Sequence, residues 1–289
     1  MNTKLGLIVS AYGKHYEVEL EDAKRIMCVT RGKKNDLACG DHVEIKLTTQ
    51  HEGVIETILP RTSLLYRSNA FKSKILAANV TQVVIVLATK PSFYTALLNR
   101  CLVAAEVANI QPLIVLNKCD LDDDGKAKNI LNTYENLGYK TLMISAKQDI
   151  STLIPVLQHQ TSILVGQSGM GKSTIINALL PDTQVRTQEV SDVLDSGKHT
   201  TTAAQLYHLN ATSVIIDSPG LQEFGLHHVK QMELELAFIE FKPFLGKCRF
   251  NNCKHLQEPN CAVTQAVASK VITEQRLASY QGLSLEINS

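Results

Sequence analysis

No stretch of this 289-residue chain is apolar for anything near the roughly 20 residues that a membrane-spanning helix requires. Its start, Met1-Asn2-Thr3-Lys4, lacks the charged-then-apolar layout of a secretion signal, so a cytoplasmic protein with no membrane partner is expected. An excess of either charge is missing too. The formal net charge is +1, which leaves no global field to draw the chain onto nucleic acid or anionic lipid. Any polyanionic partner must be met by local patches. Seven cysteines cannot all pair, and four of them (Cys28, Cys39, Cys101, Cys119) are scattered without a pairing pattern, which argues against a disulfide scaffold. What is present is ordinary globular composition, 44% hydrophobic and 20% charged, in a chain long enough for two or three domains.

The first part reads as short strands at 6–10, 15–20, 25–29, 42–47 and 53–56, punctuated by Gly13, Gly32 and Gly40. That cadence predicts a small antiparallel barrel of the OB type over residues 1–66, an RNA-binding barrel or one that merely packs on its neighbour. A polar hinge is expected around 61–74. Beyond it, strands at 81–88, 112–116, 141–144, 162–165 and 212–216 alternate with helical patterns at 94–108, 126–137 and from the end of the fourth strand to about 180. This predicts a doubly wound α/β domain over 67–228, with ligands at the carboxyl ends of its strands. Residues 229–289 are expected to form a helical, zinc-binding C-terminal domain, with helices at 230–241 and 261–277.

The motifs that carry chemistry all fall at predicted strand ends. Gly166-Gln167-Ser168-Gly169-Met170-Gly171-Lys172-Ser173 matches G-x-x-x-x-G-K-[ST] between a strand and a helix, the setting of a P-loop. Its amides would cradle phosphate oxygens, Lys172 would reach the β- and γ-phosphates, and Ser173 would offer its hydroxyl to Mg²⁺. Thr174, next in the helix, joins the binding set. A P-loop alone admits ATP as well as GTP. Asn117-Lys118-Cys119-Asp120, a lone weak signal, decides the base: the Asp120 carboxylate can accept from both guanine N1–H and the exocyclic amine, a donor pair that adenine lacks. Ser145-Ala146-Lys147 is placed to turn amides toward the guanine carbonyl. Asp217-Ser218-Pro219-Gly220 matches D-x-x-G, where Asp217 would hold Mg²⁺ through water and the Gly220 amide would meet the γ-phosphate. In Gly197-Lys198-His199-Thr200-Thr201-Thr202, one threonine is expected to complete the Mg²⁺ shell, and Thr201 is the choice.

The order of these motifs is permuted. Familiar GTPases run P-loop, switch threonine, D-x-x-G, N-K-x-D, S-A-K, whereas here the last two come first. The chain leaving D-x-x-G therefore runs straight into the C-terminal region. There Cys248, Cys253, His255 and Cys261 give Cys-x₄-Cys-x-His-x₅-Cys. Three thiolates and one imidazole suit one tetrahedral Zn²⁺ with no open position, hence a structural ion.

Taken together, residues 166–173, 197–202 and 217–226, the Cys-His cluster and the permuted order resemble the bacterial small-ribosomal-subunit biogenesis GTPases, the RsgA/YjeQ family. The resemblance covers nearly the whole chain. It implies a GTPase that acts late in maturation of the 30S subunit and contacts 16S rRNA through the barrel and the zinc domain. Its hydrolysis would be slow alone and stimulated by the 30S subunit. Leu221 stands where Ras-like enzymes place a water-orienting glutamine, and the resemblance makes His199 the candidate for that work. A nucleotide-regulated RNA-binding module with incidental hydrolysis is the competing reading. A monomer is expected.

Overall fold

A computed structural model describes residues 3–32, 36–68, 73–122, 124–181, 204–218 and 224–288. Five strands open the chain: β1 (Thr3–Tyr12), β2 (His15–Leu20), β3 (Arg25–Thr30), β4 (His42–Leu47) and β5 (Glu52–Ile58). Alternate side chains turn inward, among them Tyr16, Val18, Ile26, Cys28, Val43 and Ile45, and they form a core of their own. The strands close in the order β1-β2-β3-β5-β4, with β4 returning to β1. The barrel is not wholly antiparallel as the sequence predicts: β3 and β5 run parallel, because β4 and its connections carry the chain back to the same end.

The predicted hinge is a hairpin. Strands β6 (Leu64–Ser68) and β7 (Ser73–Ala78) pair antiparallel, and Leu65, Leu76 and Ala77 are buried in the main core. In the sequence, polar neighbours hide these two short apolar runs.

Next come β8 (Gln82–Ala88), β9 (Gln111–Asn117), β10 (Lys140–Met143), β11 (Thr161–Val165), β12 (Gln205–Asn210) and β13 (Ser213–Asp217). The parallel set runs β10-β9-β8-β11-β13, with helices α1 (Thr95–Val107), α2 (Lys126–Asn136) and α3 (Lys172–Leu179) in the crossovers. Every residue of β8 is buried, as expected for a central strand covered on both faces. Strand β12 is absent from the sequence expectations, although its alternation of buried and exposed residues is the signature of a half-covered strand. It lies antiparallel to β13 and meets β1 at Ser10 and Gln205, so barrel and α/β sheet merge into one eleven-stranded sheet.

The C-terminal region departs most from the expected helices. Helix α4 (Gln231–Ala237) stops short of 241 and gives way to a 3-10 turn, Ile239–Phe244, whose Pro243 has no amide to continue an α-helix. The second expected helix is two, α5 (Ala262–Ala268) and α6 (Glu274–Ile287), separated where Lys270 adopts φ 61° and restarted by Thr273, whose side chain accepts from the Arg276 amide. Among the described residues, no helix is long and apolar enough to cross a membrane.

One buried polar network fastens α6 to the α/β layer. Arg276, 3% exposed, donates to Glu240 at 2.5 and 3.2 Å and to Asn99 Oδ1 of α1 at 2.6 Å. Tyr134 of α2 donates to the same Asn99 oxygen at 2.8 Å, and the guanidinium lies 4.4 Å over the Phe238 ring. Removing the cation strands a buried carboxylate, so Arg276→Met is expected to cost about 3 kcal/mol. Chemical denaturation reads this directly, and Arg276→Met with Glu240→Gln should recover part of the loss. An unchanged midpoint in the single variant would show that the network carries no stability.

Candidate functional site

Strands β8, β9, β11 and β13 end side by side, so the loops that follow them converge. The organiser is Asn117, the last residue of β9 and 2% exposed. Its amide group donates to Met170 O at 3.0 Å in the glycine loop, and its carbonyl accepts from the Ala146 amide at 3.0 Å. One side chain thus ties the N-K-C-D, S-A-K and P-loop segments together. Gly171 makes this possible: at φ 94°, a Cβ there would sit 2.3 Å from Asn117 Nδ2. Gly166 has the same role against β8, where a Cβ would meet Val86 O at 2.3 Å.

Lys118 adopts φ 57° and sends its ammonium to Lys90 O at 2.7 Å and Gly169 O at 2.9 Å. Thr89 donates to Lys118 O at 2.7 Å, and the Cys119 amide donates to Ile144 O at 3.2 Å. These bonds fix the loop whose 3-10 turn, Cys119–Leu121, leaves Asp120 exposed at the rim. Ser145 and Ala146 are buried, while Lys147 is exposed.

In the glycine loop, Ser168 and Gly169 are exposed, and Ser173 and Thr174 are half-buried in the first turn of α3. Lys172, 7% exposed, donates to Gly166 O at 2.8 Å and Gln167 O at 2.9 Å. Two of its three N–H donors are thus used in holding the ammonium in place, and the third remains for an anion. Burial pushes the Lys172 ammonium down and Asp217 opposes it; burial pushes the Asp217 carboxyl up to about 6 while Lys172 pulls it back. Ser218 pins the start of D-x-x-G by donating to Leu164 O at 2.5 Å. His199, Thr201 and Gly220 lie outside the described residues.

The sequence reading passed over Thr89, Lys90 and Tyr94, whose amide donates to Gln167 Oε1 at 3.0 Å. Their signal was position alone: they follow the carboxyl end of β8, where ligands of such sheets bind.

The cysteine cluster forms a second centre. One donor atom from each of Cys248, Cys253, His255 and Cys261 lies within 4.8 Å of the others. Nδ1 of His255 is 3.6, 3.6 and 3.2 Å from the sulfurs of Cys248, Cys253 and Cys261, and Cys248 and Cys261 sulfurs are 3.9 Å apart. A tetrahedral Zn²⁺ with bonds of about 2.3 Å to sulfur and 2.0 Å to nitrogen sets its ligands roughly 3.5–3.8 Å apart, so this Cys₃His set could hold zinc with small adjustments. Burial, reinforced by Cys248 and Cys261, pushes the Cys253 thiol up to about 12. A cation is what would keep all three sulfurs as thiolates at neutral pH. Around the cluster, Tyr280 donates to Lys254 O, Gln281 donates to His255 O and Leu256 O, and the Glu258 carboxylate accepts from the amides of Lys254, Leu256 and Gln257. Such outer bonds hold ligands in place.

Comparison with known proteins gives one answer over the whole chain. The family model described as RsgA GTPase matches residues 58–227. Proteins named small ribosomal subunit biogenesis GTPase RsgA are similar throughout. One from Nitrosospira multiformis is 51% identical, covering 98% of this chain and 91% of the relative. Another from Nitrosomonas europaea is 52% identical, covering 96% and 90%. Among solved structures, YjeQ from Thermotoga maritima has a TM-score of 0.77 at 30% identity, covering 100% of this chain and 99% of that one. YloQ, described as a circularly permuted GTPase, has a TM-score of 0.71 at 30% identity over 99% and 96%. With the motif order of its loops and this likeness from end to end, the chain belongs to the RsgA GTPase family.

Proposed function

We propose that the chain binds GTP across the loops that Asn117 joins and hydrolyses it to GDP and phosphate as a step in maturation of the small ribosomal subunit. The observation that supports this reading is the pair of bonds from one buried side chain to Met170 and Ala146, because it ties together the segments we assign to base reading and to phosphate binding. Asp120 would accept from the guanine edge, and the Ala146 region would face its carbonyl. Residues 166–174 would wrap the phosphates, with the spare N–H of Lys172 on the β- and γ-phosphates. Water is the nucleophile, and the site acts by positioning and by offsetting charge on the γ-phosphoryl group.

Mg²⁺, when bound, would supply further charge neutralisation. Ser173, Thr201 and, through water, Asp217 are the residues we assign to it. His199 is assigned to ordering the water and Gly220 to sensing the γ-phosphate. The division into a barrel at 1–66, a permuted GTPase unit at 67–228 and a zinc-binding unit at 229–289 belongs to the same proposal. So do a cytoplasmic, monomeric protein and contact of barrel and zinc unit with 16S rRNA in the 30S subunit.

Single-turnover hydrolysis with and without purified 30S subunits tests the reading. Stimulation is expected, and His199→Ala should lower the stimulated rate on the order of 10²-fold while GTP affinity stays the same. Lack of stimulation would favour a nucleotide-regulated RNA-binding module in which hydrolysis is incidental.

A further inference from the structure

Residues 224–230 lie between the D-x-x-G motif and α4 in the sequence. Phe224, Leu226 and Val229 along this stretch are buried, at 1%, 0% and 4% exposure, so its apolar side is fixed to the core. Its polar side meets the last residue of β6. The Ser68 amide donates to Gly225 O at 2.9 Å, and Ser68 pairs with Leu226 as a parallel bridge. The His228 amide in turn donates to Ser68 Oγ at 2.9 Å, and that oxygen lies 2.7 Å from His228 Nδ1.

Ser68 Oγ accepts the His228 amide and shares a second hydrogen bond with Nδ1 of the same residue, so both ends of the clasp meet at one oxygen. Burial lowers the His228 pKa, which favours the neutral imidazole. Tyr66 completes the contact, its ring centroid 5.7 Å from that of His228. Neither barrel nor main sheet needs these bonds, since β6 and β7 form a separate two-stranded sheet.

We infer that Ser68 and His228 form a polar clasp that sets the register of the chain leaving D-x-x-G against the β6–β7 hairpin, which makes both of them positioning residues for that motif. The inference rests on the GTP-hydrolase reading for its functional half. Because the P-loop and the N-K-C-D segment are anchored elsewhere, loosening the clasp should alter how D-x-x-G is held and leave nucleotide affinity alone. A merely structural role would lower both together.

The test uses Ser68→Ala and His228→Phe, which keeps a ring against Tyr66, with Ser68→Thr as the variant that retains the hydroxyl. Hydrogen exchange of peptides covering 64–78 and 224–230 reads the clasp in the nucleotide-free protein. About five- to tenfold faster exchange is expected there in Ser68→Ala and His228→Phe, with barrel peptides unchanged and Ser68→Thr like the parent. Single-turnover GTP hydrolysis should slow several-fold in the same two variants at constant GDP dissociation constant, and Ser68→Thr should restore it. Exchange within twofold of the parent would overturn the clasp. A rate loss that the threonine does not rescue, or one matched by weaker GDP binding, would overturn the positioning role. Should no guanine nucleotide bind at all, the proposed function fails, while the exchange experiment still decides whether the clasp exists.

Discussion

Asp120→Asn is expected to weaken GDP and GTP binding by about 10²- to 10³-fold and to make the chain prefer xanthine nucleotides. The reason is the donor pattern at the ligand's edge. Guanine offers N1–H and an exocyclic amine side by side, and a carboxylate accepts both; an asparagine accepts one and points its own N–H at the other. Hydrogen bonds to charged groups are worth about 1.5–3 kcal/mol each, so losing one and weakening its neighbour costs about 3–4 kcal/mol. Xanthine carries a carbonyl in place of that amine, which the asparagine N–H can meet. Asp120 is exposed at the rim, and none of the bonds that hold Asn117 or Lys118 runs through it, so the unliganded protein should melt at the parent's temperature. Titration with labelled GDP and XDP gives both constants. An unchanged GDP constant would place the base somewhere other than beside residue 120.

Local pattern reached most of this architecture, and where it stopped has physical reasons. The strand β8 was legible because burial on both faces leaves a nearly unbroken apolar run, and the glycine loop because its close approach to Val86 O and Asn117 Nδ2 leaves no room for a Cβ at Gly166 and Gly171. Strand β12 and the hairpin were not, since a half-covered strand and a six-residue run hold only a few apolar side chains apiece. Helix ends in the C-terminal region went astray because apolar spacing continues past Ala237 into the 3-10 turn and through the turn at Lys270. Asn117 stands in the sequence as the first residue of Asn-Lys-Cys-Asp. What no spacing rule conveys is that its two amide atoms are spent on other loops, at 3.0 Å each, and not on solvent. The bonds of Ser68 to His228 and of Arg276 to Asn99 likewise join residues 160 and 177 positions apart, a relation that only the folded chain creates.

Treatment with a chelator, or replacing Cys261 by serine, is expected to lower the melting temperature by roughly 7–20 °C, the largest stability change foreseen for this chain. Structural zinc contributes apparent free energies of about 10–16 kcal/mol in small zinc-binding peptides, and even a third of that, at about 2–4 °C per kcal/mol, yields such a drop. The cluster is well placed to pass on its loss. His255 and Cys261 are 3% and 0% exposed, and the His255 ring packs with Phe241 and Tyr280, its centroid 6.2 and 6.0 Å from theirs. Tyr280 and Gln281 of α6 hold the ligand loop by its carbonyls, and the same helix carries Arg276 to α1 and α2. Without such an ion, Cys248, Cys253 and Cys261 would lack a common partner to hold the loop between them. Elemental analysis should find one zinc per chain in the parent and little in Cys261→Ser. GDP affinity, measured well below the new melting point, should stay within a few-fold of the parent, because the Asn117 side chain bonds to Met170 and Ala146 and not to the C-terminal region. A metal-free protein that melts with the parent would show that these four side chains only pack together.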